Sequence, residues 1–126
     1  MTPAFERAIP VLRILDLAKA RDFYEGFLGF SWDWEHRFEP GLPAFVQVSR
    51  GDLLLFLSEH HGDGTPGAKI ILRMTGIAAF HDALVAKDYR HARPAIEDRP
   101  WGWRDMDVVD PFGNSLVFSE RMEACD

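Results

Sequence analysis

The same succession of one helix and several strands occurs twice in this chain, at an offset of about 60 residues. The last predicted strand of each copy has a shared ending, LFLSE at 55–59 and LVFSE at 116–120. These endings lie 61 positions apart, and the residues that open the two predicted helices, Asp16 and Gly76, lie 60 positions apart. A nearly constant offset favours an internal duplication over chance, so we expect two copies of one module.

The first copy is predicted to contain one strand, one helix and three further strands. Apolar residues alternate over 8–14, and Asp16 then provides a side chain that can cap the N-terminus of a helix. Apolar residues recur at spacings of three and four as far as Leu28, and Gly29 ends the helix. Strand-like segments follow at 30–38, 43–49 and 52–59, the last two separated by a tight turn at Arg50 and Gly51.

A segment rich in Gly and Pro, HHGDGTPG at 60–67, marks a linker between the copies. The order then restarts, with a helix predicted over 76–88 and strands over 68–74, 89–97, 102–110 and 114–120. The second helix has one stripe predicted to face the sheet, formed by Ile77, Phe80, His81, Leu84 and Val85.

The predicted fold class is therefore α+β, with two βαβββ modules whose curved mixed sheets form a cleft. We place module one at about 8–59 and module two at about 68–120, within a single domain of residues 1–126. A cleft at the junction of two repeats is a natural place for a ligand.

Length, charge and the first residues restrict the class of protein. A chain of 126 residues suits one compact domain, and 20 acidic residues against 14 Lys and Arg give a formal charge of −6. Such a surface repels phosphate backbones, so nucleic acid is not an expected partner. The start lacks the regions of a signal peptide, and no run approaches the ~18 apolar residues of a membrane helix, so we expect a cytoplasmic protein that does not enter membranes. Cys125 is predicted to be an idle thiol.

Two motifs resemble those of the vicinal oxygen chelate superfamily, which includes glyoxalases, bleomycin resistance proteins and extradiol dioxygenases. RILDLAKARDFYEGFLGF at 13–30 is similar to the helix that opens the first module in that superfamily, and VDPFGNSLVF at 109–118 is similar to its closing D-P-x-G-N motif. AIPVL at 8–12 and PWG at 100–102 most resemble the bleomycin resistance proteins. Those proteins bind the drug and do not transform it.

The resemblance also implies where a metal would be bound. Enzymes of the superfamily hold a divalent metal with His, Gln or Glu from four strands, because an open cation site needs several converging donors. Counting from the motifs places those four positions at Ile9, Phe56, Lys69 and Val117, and none of these is an ordinary metal ligand. A shift of one position supplies no ligand either, since the neighbours are Ala8, Pro10, Leu55, Leu57, Ala68, Ile70, Leu116 and Phe118. We therefore predict no metal, no cofactor and no catalytic residue.

All four tryptophans of the chain fall in two predicted strands, one in each module. Regular alternation in the first strand would place Phe30, Trp32 and Trp34 on one face. The same alternation in the second strand would align Trp101, Trp103, Asp105 and Asp107. Aromatic rings stack on flat ligands and attract cations, and carboxylates would complete a site for a cationic, partly aromatic molecule. The alternative is that these rings belong to the core.

The resemblance implies further features of such a site. Bleomycin resistance proteins are homodimers with two clefts at the subunit interface; the tryptophan of their PWG motif, here Trp101, lines the cleft. Pro10 would be the hinge of an N-terminal arm exchanged between subunits, and the loop 38–42 would form part of the rim. The residues predicted to bind the ligand are Trp32, Trp34, Phe38, Phe56, Trp101, Trp103 and Asp105.

The predicted function is therefore non-catalytic binding of a bleomycin-like small molecule, which would confer antibiotic resistance by sequestration. Two alternatives remain open. One is a metal-dependent lyase, isomerase or dioxygenase of the same superfamily with ligands at other positions. The other is a binding module for an unrelated metabolite.

Overall fold

Residues 2–122 are described by the computed structural model, so Cys125 and its predicted role lie outside the described residues. The first module contains β1 (Val11–Arg13), α1 (Leu17–Arg21), a π-helical segment (Asp22–Phe27), β2 (Ser31–His36), β3 (Phe45–Arg50) and β4 (Leu53–Ser58). The second contains β5 (Lys69–Arg73), α2 (Ile77–Ala86), β6 (Ile96–Arg99), β7 (Trp103–Val109) and β8 (Ser115–Arg121). The predicted α+β fold with two βαβββ modules is confirmed.

The two modules have the same sheet topology. Each forms a four-stranded mixed sheet, with strand orders β1-β4-β3-β2 and β5-β8-β7-β6. The first strand of each module pairs in parallel with its last, and the other pairs are antiparallel. Val11 lies beside Phe56 in one sheet, and Ile71 lies beside Val117 in the other. These pairs reproduce the sequence offset, so the duplication extends to strand register.

The first helix begins as predicted and then changes its winding. Asp16 caps it, since the Lys19 backbone N–H donates to Asp16 Oδ1 at 2.9 Å. After Arg21 the chain continues as a π-helical segment, and the Leu28 N–H donates to the Phe23 carbonyl, five positions earlier, at 2.9 Å. Three aromatic side chains of this segment are buried, namely Phe23, Tyr24 and Phe27, and Phe27 stacks on Tyr89 of the second module with ring centroids 4.5 Å apart.

The core lies between each sheet and its helical elements. Alternate residues of the central strands are buried on this side, including Val46, Val48, Leu55, Leu57, Met106, Val108, Leu116 and Phe118. On α2 the residues Ile77, Phe80 and Leu84 are buried and His81 is partly buried, as predicted, whereas Val85 is 54% exposed. Val85 follows Leu84 by about 100° around the helix axis, which turns it out of the contact.

A buried polar cluster joins the modules. The Tyr24 hydroxyl donates to Asp110 Oδ2 at 2.7 Å, and the Asn114 backbone N–H donates to Asp110 Oδ1 at 2.8 Å. The Asn114 side-chain amide also donates to the Arg13 carbonyl at 2.8 Å. The D-P-x-G-N motif therefore connects the β7–β8 turn to the helical segment and the first strand of the other module.

Within residues 2–122, no helix has both the length and the apolar character that crossing a membrane would require.

Candidate functional site

Each sheet has one side that faces away from its helical elements. We name the side formed by Val11, Trp34, Phe45, Gln47 and Phe56 the first open face. The side formed by Lys69, Ile71, Arg73, Asp105, Asp107, Val117 and Ser119 is the second open face. Both assignments follow from strand register, because residues paired across neighbouring strands share a side of the sheet.

The first open face is an aromatic cluster. The Trp34 ring is stacked on Phe45 with centroids 6.1 Å apart and lies 5.8 Å from Phe56, while the two Phe rings lie 5.0 Å apart. Trp34 is 41% exposed, and Val11 beside Phe56 is 37% exposed. A partly exposed group of rings on a rigid sheet offers a stacking surface to a ligand or to another protein.

The prediction that Trp32 and Trp34 share a face is wrong. The register of β2 against β3 shifts between them, so Trp32 pairs with the buried Val48 whereas Trp34 pairs with Gln47. The extra residue in this β-bulge is Asp33, which reverses the alternation after it. Trp32 packs against the core, with the Arg21 guanidinium 5.3 Å from its ring centroid.

Phe38, predicted to border the site, lies in the loop after β2. Its ring is exposed and meets His36 edge to face, with centroids 4.8 Å apart. The structure therefore places Phe38 at the rim of the first sheet and not within the aromatic cluster.

The second open face has a charged network centred on Arg99 of β6. Asp105 accepts from the Ser119 hydroxyl at 2.6 Å and from Arg99 Nε at 3.3 Å. Arg99 also lies 2.8 Å from a Glu97 oxygen and 3.9 Å from an Asp107 oxygen. Three carboxylates thus share one guanidinium, and Lys69 and Arg73 of the same face add two further cationic groups.

Trp103, Asp105 and Asp107 share one side of β7, as the alternation predicts, because Met106 and Val108 are buried on the other side. The Arg73 guanidinium carbon lies 3.4 Å from the centroid of the Trp103 ring, a close cation–π contact.

Trp101 precedes β7 in the turn closed by a hydrogen bond from the Gly102 N–H to the Arg99 carbonyl, and it is 68% exposed. A hollow of about 330 Å³ on the second open face is lined by Trp101, by the carboxylates Asp105 and Asp107, and by three cationic side chains, Lys69, Arg73 and Arg99. The hollow brings Trp101 and Asp105, both predicted to bind the ligand, to one place.

The four positions where the resemblance implies metal ligands do not suit a divalent ion. Phe56 lies on the first open face, Lys69 and Val117 lie on the second, and Ile9 lies just before β1. Only Lys69 has a polar side-chain atom, and an ammonium group repels a cation. Among residues 2–122, no three side chains of His, Cys, Asp or Glu are grouped so that they could hold a metal ion.

Sequence reasoning missed two residues that shape these faces. Phe45 completes the aromatic cluster, and the alternation of Phe45 with Gln47 within 43–49 was a signal that could have identified it. Arg99 organises the carboxylates, but its role depends on the pairing of β6 with β7. Nothing in the local sequence indicates that pairing.

The comparisons with known proteins agree with this architecture. A family model described as "Glyoxalase superfamily protein" matches residues 2–125. Comparison with curated protein sequences gives no match.

Similar solved structures include TnmS3, an antibiotic binding protein from Streptomyces sp. CB03234, with 22% identity, a TM-score of 0.73, and coverage of 95% of this chain and 99% of that chain. The bleomycin resistance determinant encoded on the transposon Tn5 has 26% identity, a TM-score of 0.71, and coverage of 93% and 98%. A bleomycin-binding protein complexed with bleomycin has 26% identity, a TM-score of 0.68, and coverage of 93% and 99%.

The family match extends over nearly the whole chain, and the matched structures have the fold described above. The resemblance carried by the two sequence motifs is therefore confirmed: the chain belongs to the glyoxalase superfamily.

Proposed function

We propose that this protein binds a cationic, partly aromatic antibiotic of the bleomycin type and sequesters it in the cytoplasm without transforming it. The observation that carries the proposal is the hollow on the second open face, where the exposed Trp101 ring accompanies Asp105 and Asp107. The names of two similar structures, a bleomycin resistance determinant and a bleomycin-binding protein, support the choice of ligand.

The hollow contains charges of both signs, and Asp107 is its most exposed carboxylate. Asp105 is held by Arg99 and Ser119, whereas Asp107 is half-exposed and only 3.9 Å from the shared guanidinium. A ligand ammonium or guanidinium beside Asp107 would pair with this half-exposed carboxylate, and the Trp101 ring would interact with the same cation or with an attached aromatic ring.

The aromatic cluster of the first open face is proposed to supply a second wall. Trp34 and Phe56 present rings that are only partly covered within the chain. The hollow is lined by residues of the second module. A homodimer that places the first open face of one subunit opposite the second open face of the other would form two equivalent clefts. Trp34, Phe56, Trp101, Trp103 and Asp105 would then contact one ligand, with Phe38 at the rim.

Titration of the purified protein with metal-free bleomycin, followed by tryptophan fluorescence and calorimetry, tests the proposal. We expect saturable binding at one drug molecule per chain. Trp101→Ala and Asp107→Asn should each weaken affinity by roughly tenfold, about 1.4 kcal/mol, because each removes one stacking or ionic contact.

Trp32→Phe is the matched control, since Trp32 lies on the opposite side of the first sheet from Trp34. It should leave the affinity unchanged. A flat titration of the folded protein would contradict the proposal. Stoichiometric Ni, Zn, Mn or Fe in the same preparation would then favour a metal-dependent enzyme of the superfamily.

The proposed dimer has a separate test. Sedimentation equilibrium should give twice the chain mass, and Phe56→Glu should shift the equilibrium toward the monomer, because it places a charge within the aromatic cluster. Glu39→Gln, on the exposed loop after β2, is the control that should not change the mass. A monomer at high concentration would rule out clefts built from two chains.

A further inference from the structure

The two modules pack differently at their junction. A cavity of about 580 Å³ opens where the β3–β4 turn meets the end of β5 and one side of α2. Its floor is apolar and consists of Phe30, Leu72, Phe80 and Phe118. Leu72 and Phe118 belong to the helix-facing side of the second sheet, so this cavity is distinct from the hollow on the second open face. The two share only the bordering residue Arg73.

The cavity exists because the duplication is not exact. At the equivalent junction in the other half, the turn 110–114 packs Phe112 against the core and ties Asn114 to the Arg13 carbonyl. The β3–β4 turn has only residues 51 and 52 between its strands, and thus has no counterpart of Phe112.

The helices differ at the same place. Aligning the N-caps Asp16 and Gly76 places Ala83 of α2 where the first module has the buried Phe23. Ala83 lines the cavity with a methyl group in place of an aromatic ring. A short turn and a small helical residue therefore leave open a space that the first module fills with side chains.

The mouth of the cavity has a cation without a counter-ion. Arg50 Nη1 donates to the Leu28 carbonyl at 2.6 Å, and the guanidinium carbon lies 4.8 Å from the centroid of the Phe80 ring. Within residues 2–122, no carboxylate lies within ion-pair distance of Arg50, although the exposed Asp52 is on the same rim. In the described part of the chain, the Leu28 carbonyl is the one hydrogen-bond acceptor of the Arg50 side chain, so its other N–H donors can bind a planar acceptor such as a carboxylate.

We propose that this cavity binds a small carboxylic acid with an aromatic or aliphatic body. The carboxylate would pair with Arg50, and the body would lie on the apolar floor formed by Leu72, Phe80 and Phe118. The volume suits a ligand of this class, since small-molecule sites typically measure about 300–1,000 Å³. This second site is independent of the proposed antibiotic site and of its ligand.

Methyl NMR of the full chain, titrated with phenylbutyrate, tests the proposal. The methyl signals of Leu72, Met74 and Ala83 should shift in a saturable way. The neutral isostere phenylbutanol should bind roughly tenfold more weakly, because it lacks the charge-assisted hydrogen bonds to Arg50. In Arg50→Gln the two compounds should bind with the same weak affinity.

A cavity-filling variant provides an independent measurement. Ala83→Phe introduces the side chain that the first module has at the equivalent position, Phe23. It should fill the cavity and abolish the phenylbutyrate-induced shifts of the Leu72 and Met74 methyl signals. Ala78→Phe, on the same helix but outside the lining, is the matched control and should preserve binding. Should Ala83→Phe fail to fold, Ala79→Leu narrows the same cavity and should weaken binding.

Three results would overturn the proposal: no saturable shift, equal affinity for the acid and the alcohol, or shifts at Ile71 and Val117 in place of Leu72 and Met74. The last result would place phenylbutyrate on the second open face. None of these results depends on whether bleomycin binds, so the two proposals can fail separately.

Discussion

At the scale of single residues, Tyr24 links the helical segment of the first module to Asp110, in the turn between β7 and β8. Burial raises its pKa well above the ordinary value, and the neighbouring charge of Asp110 and the hydrogen bond to that carboxylate raise it further. Because the folded pKa exceeds the unfolded pKa of about 10, this tyrosine contributes stability that is complete below pH 10 and is lost as the pH rises through the folded pKa.

Tyr24→Phe should therefore have two effects. At neutral pH it should lower the free energy of unfolding by about 1–2 kcal/mol, because Asp110 loses a buried hydrogen bond. Above pH about 10 the difference in free energy of unfolding between the two proteins should shrink. The wild type then loses stability because Tyr24 ionises on unfolding, whereas the phenylalanine variant has no hydroxyl to ionise. Urea unfolding at neutral and alkaline pH measures both.

Tyr89→Phe is the matched control for this residue. The Tyr89 hydroxyl donates to Asp22 at 2.8 Å on the surface, and partial burial followed by that hydrogen bond raises its pKa to about 12. Removing the Tyr89 hydroxyl should lower the free energy of unfolding at neutral pH by less than about 1 kcal/mol, because water can replace the exposed hydrogen bond. A Tyr89→Phe effect larger than that of Tyr24→Phe would contradict the assigned importance of the buried cluster.

At the scale of elements, the cap of α1 gives a direct prediction. Asp16→Ala should lower the free energy of unfolding by about 1 kcal/mol, because the Lys19 N–H loses its acceptor. Asp16→Asn retains a cap of similar strength and should restore most of the loss. Urea unfolding of the three proteins tests this, and equal stability of the alanine and asparagine variants would show that the cap is not the cause.

Strands β7 and β2 show where the alternation of side chains in the sequence predicts the face of a residue and where it does not. The alternation in β7 correctly grouped Trp103, Asp105 and Asp107, because this strand pairs with β8 in unbroken register. The same reasoning failed for Trp32 and Trp34, because one bulge in β2 interrupts the period of two. The strand predicted over 89–97 was misplaced, since β6 spans Ile96–Arg99 and overlaps the predicted range only at residues 96 and 97.

At the scale of the whole molecule, the buried cluster predicts that the modules unfold together. Single-tryptophan variants that retain Trp34 or Trp103 report on the first and second modules, respectively. Their urea transitions should coincide, as expected for a single domain. Asn114→Ala should lower both midpoints by the same amount, equivalent to about 1–3 kcal/mol, because it removes the bond to the Arg13 carbonyl and leaves buried groups unpaired. Two separate transitions in the wild type would show that the modules are independent.

Much of this protein follows from local patterns along the chain. Apolar spacing, the Asp16 cap and the turn glycines were sufficient to predict two βαβββ modules, and the motifs at 13–30 and 109–118 identified the superfamily, because these signals act between residues close in sequence. Only the tertiary structure decided which face Trp32 occupies, that Arg99 gathers three carboxylates, and that one junction is filled while the other contains a cavity. Each of these depends on strand register or on packing between segments far apart in sequence, and the order of apolar and polar residues does not specify such contacts.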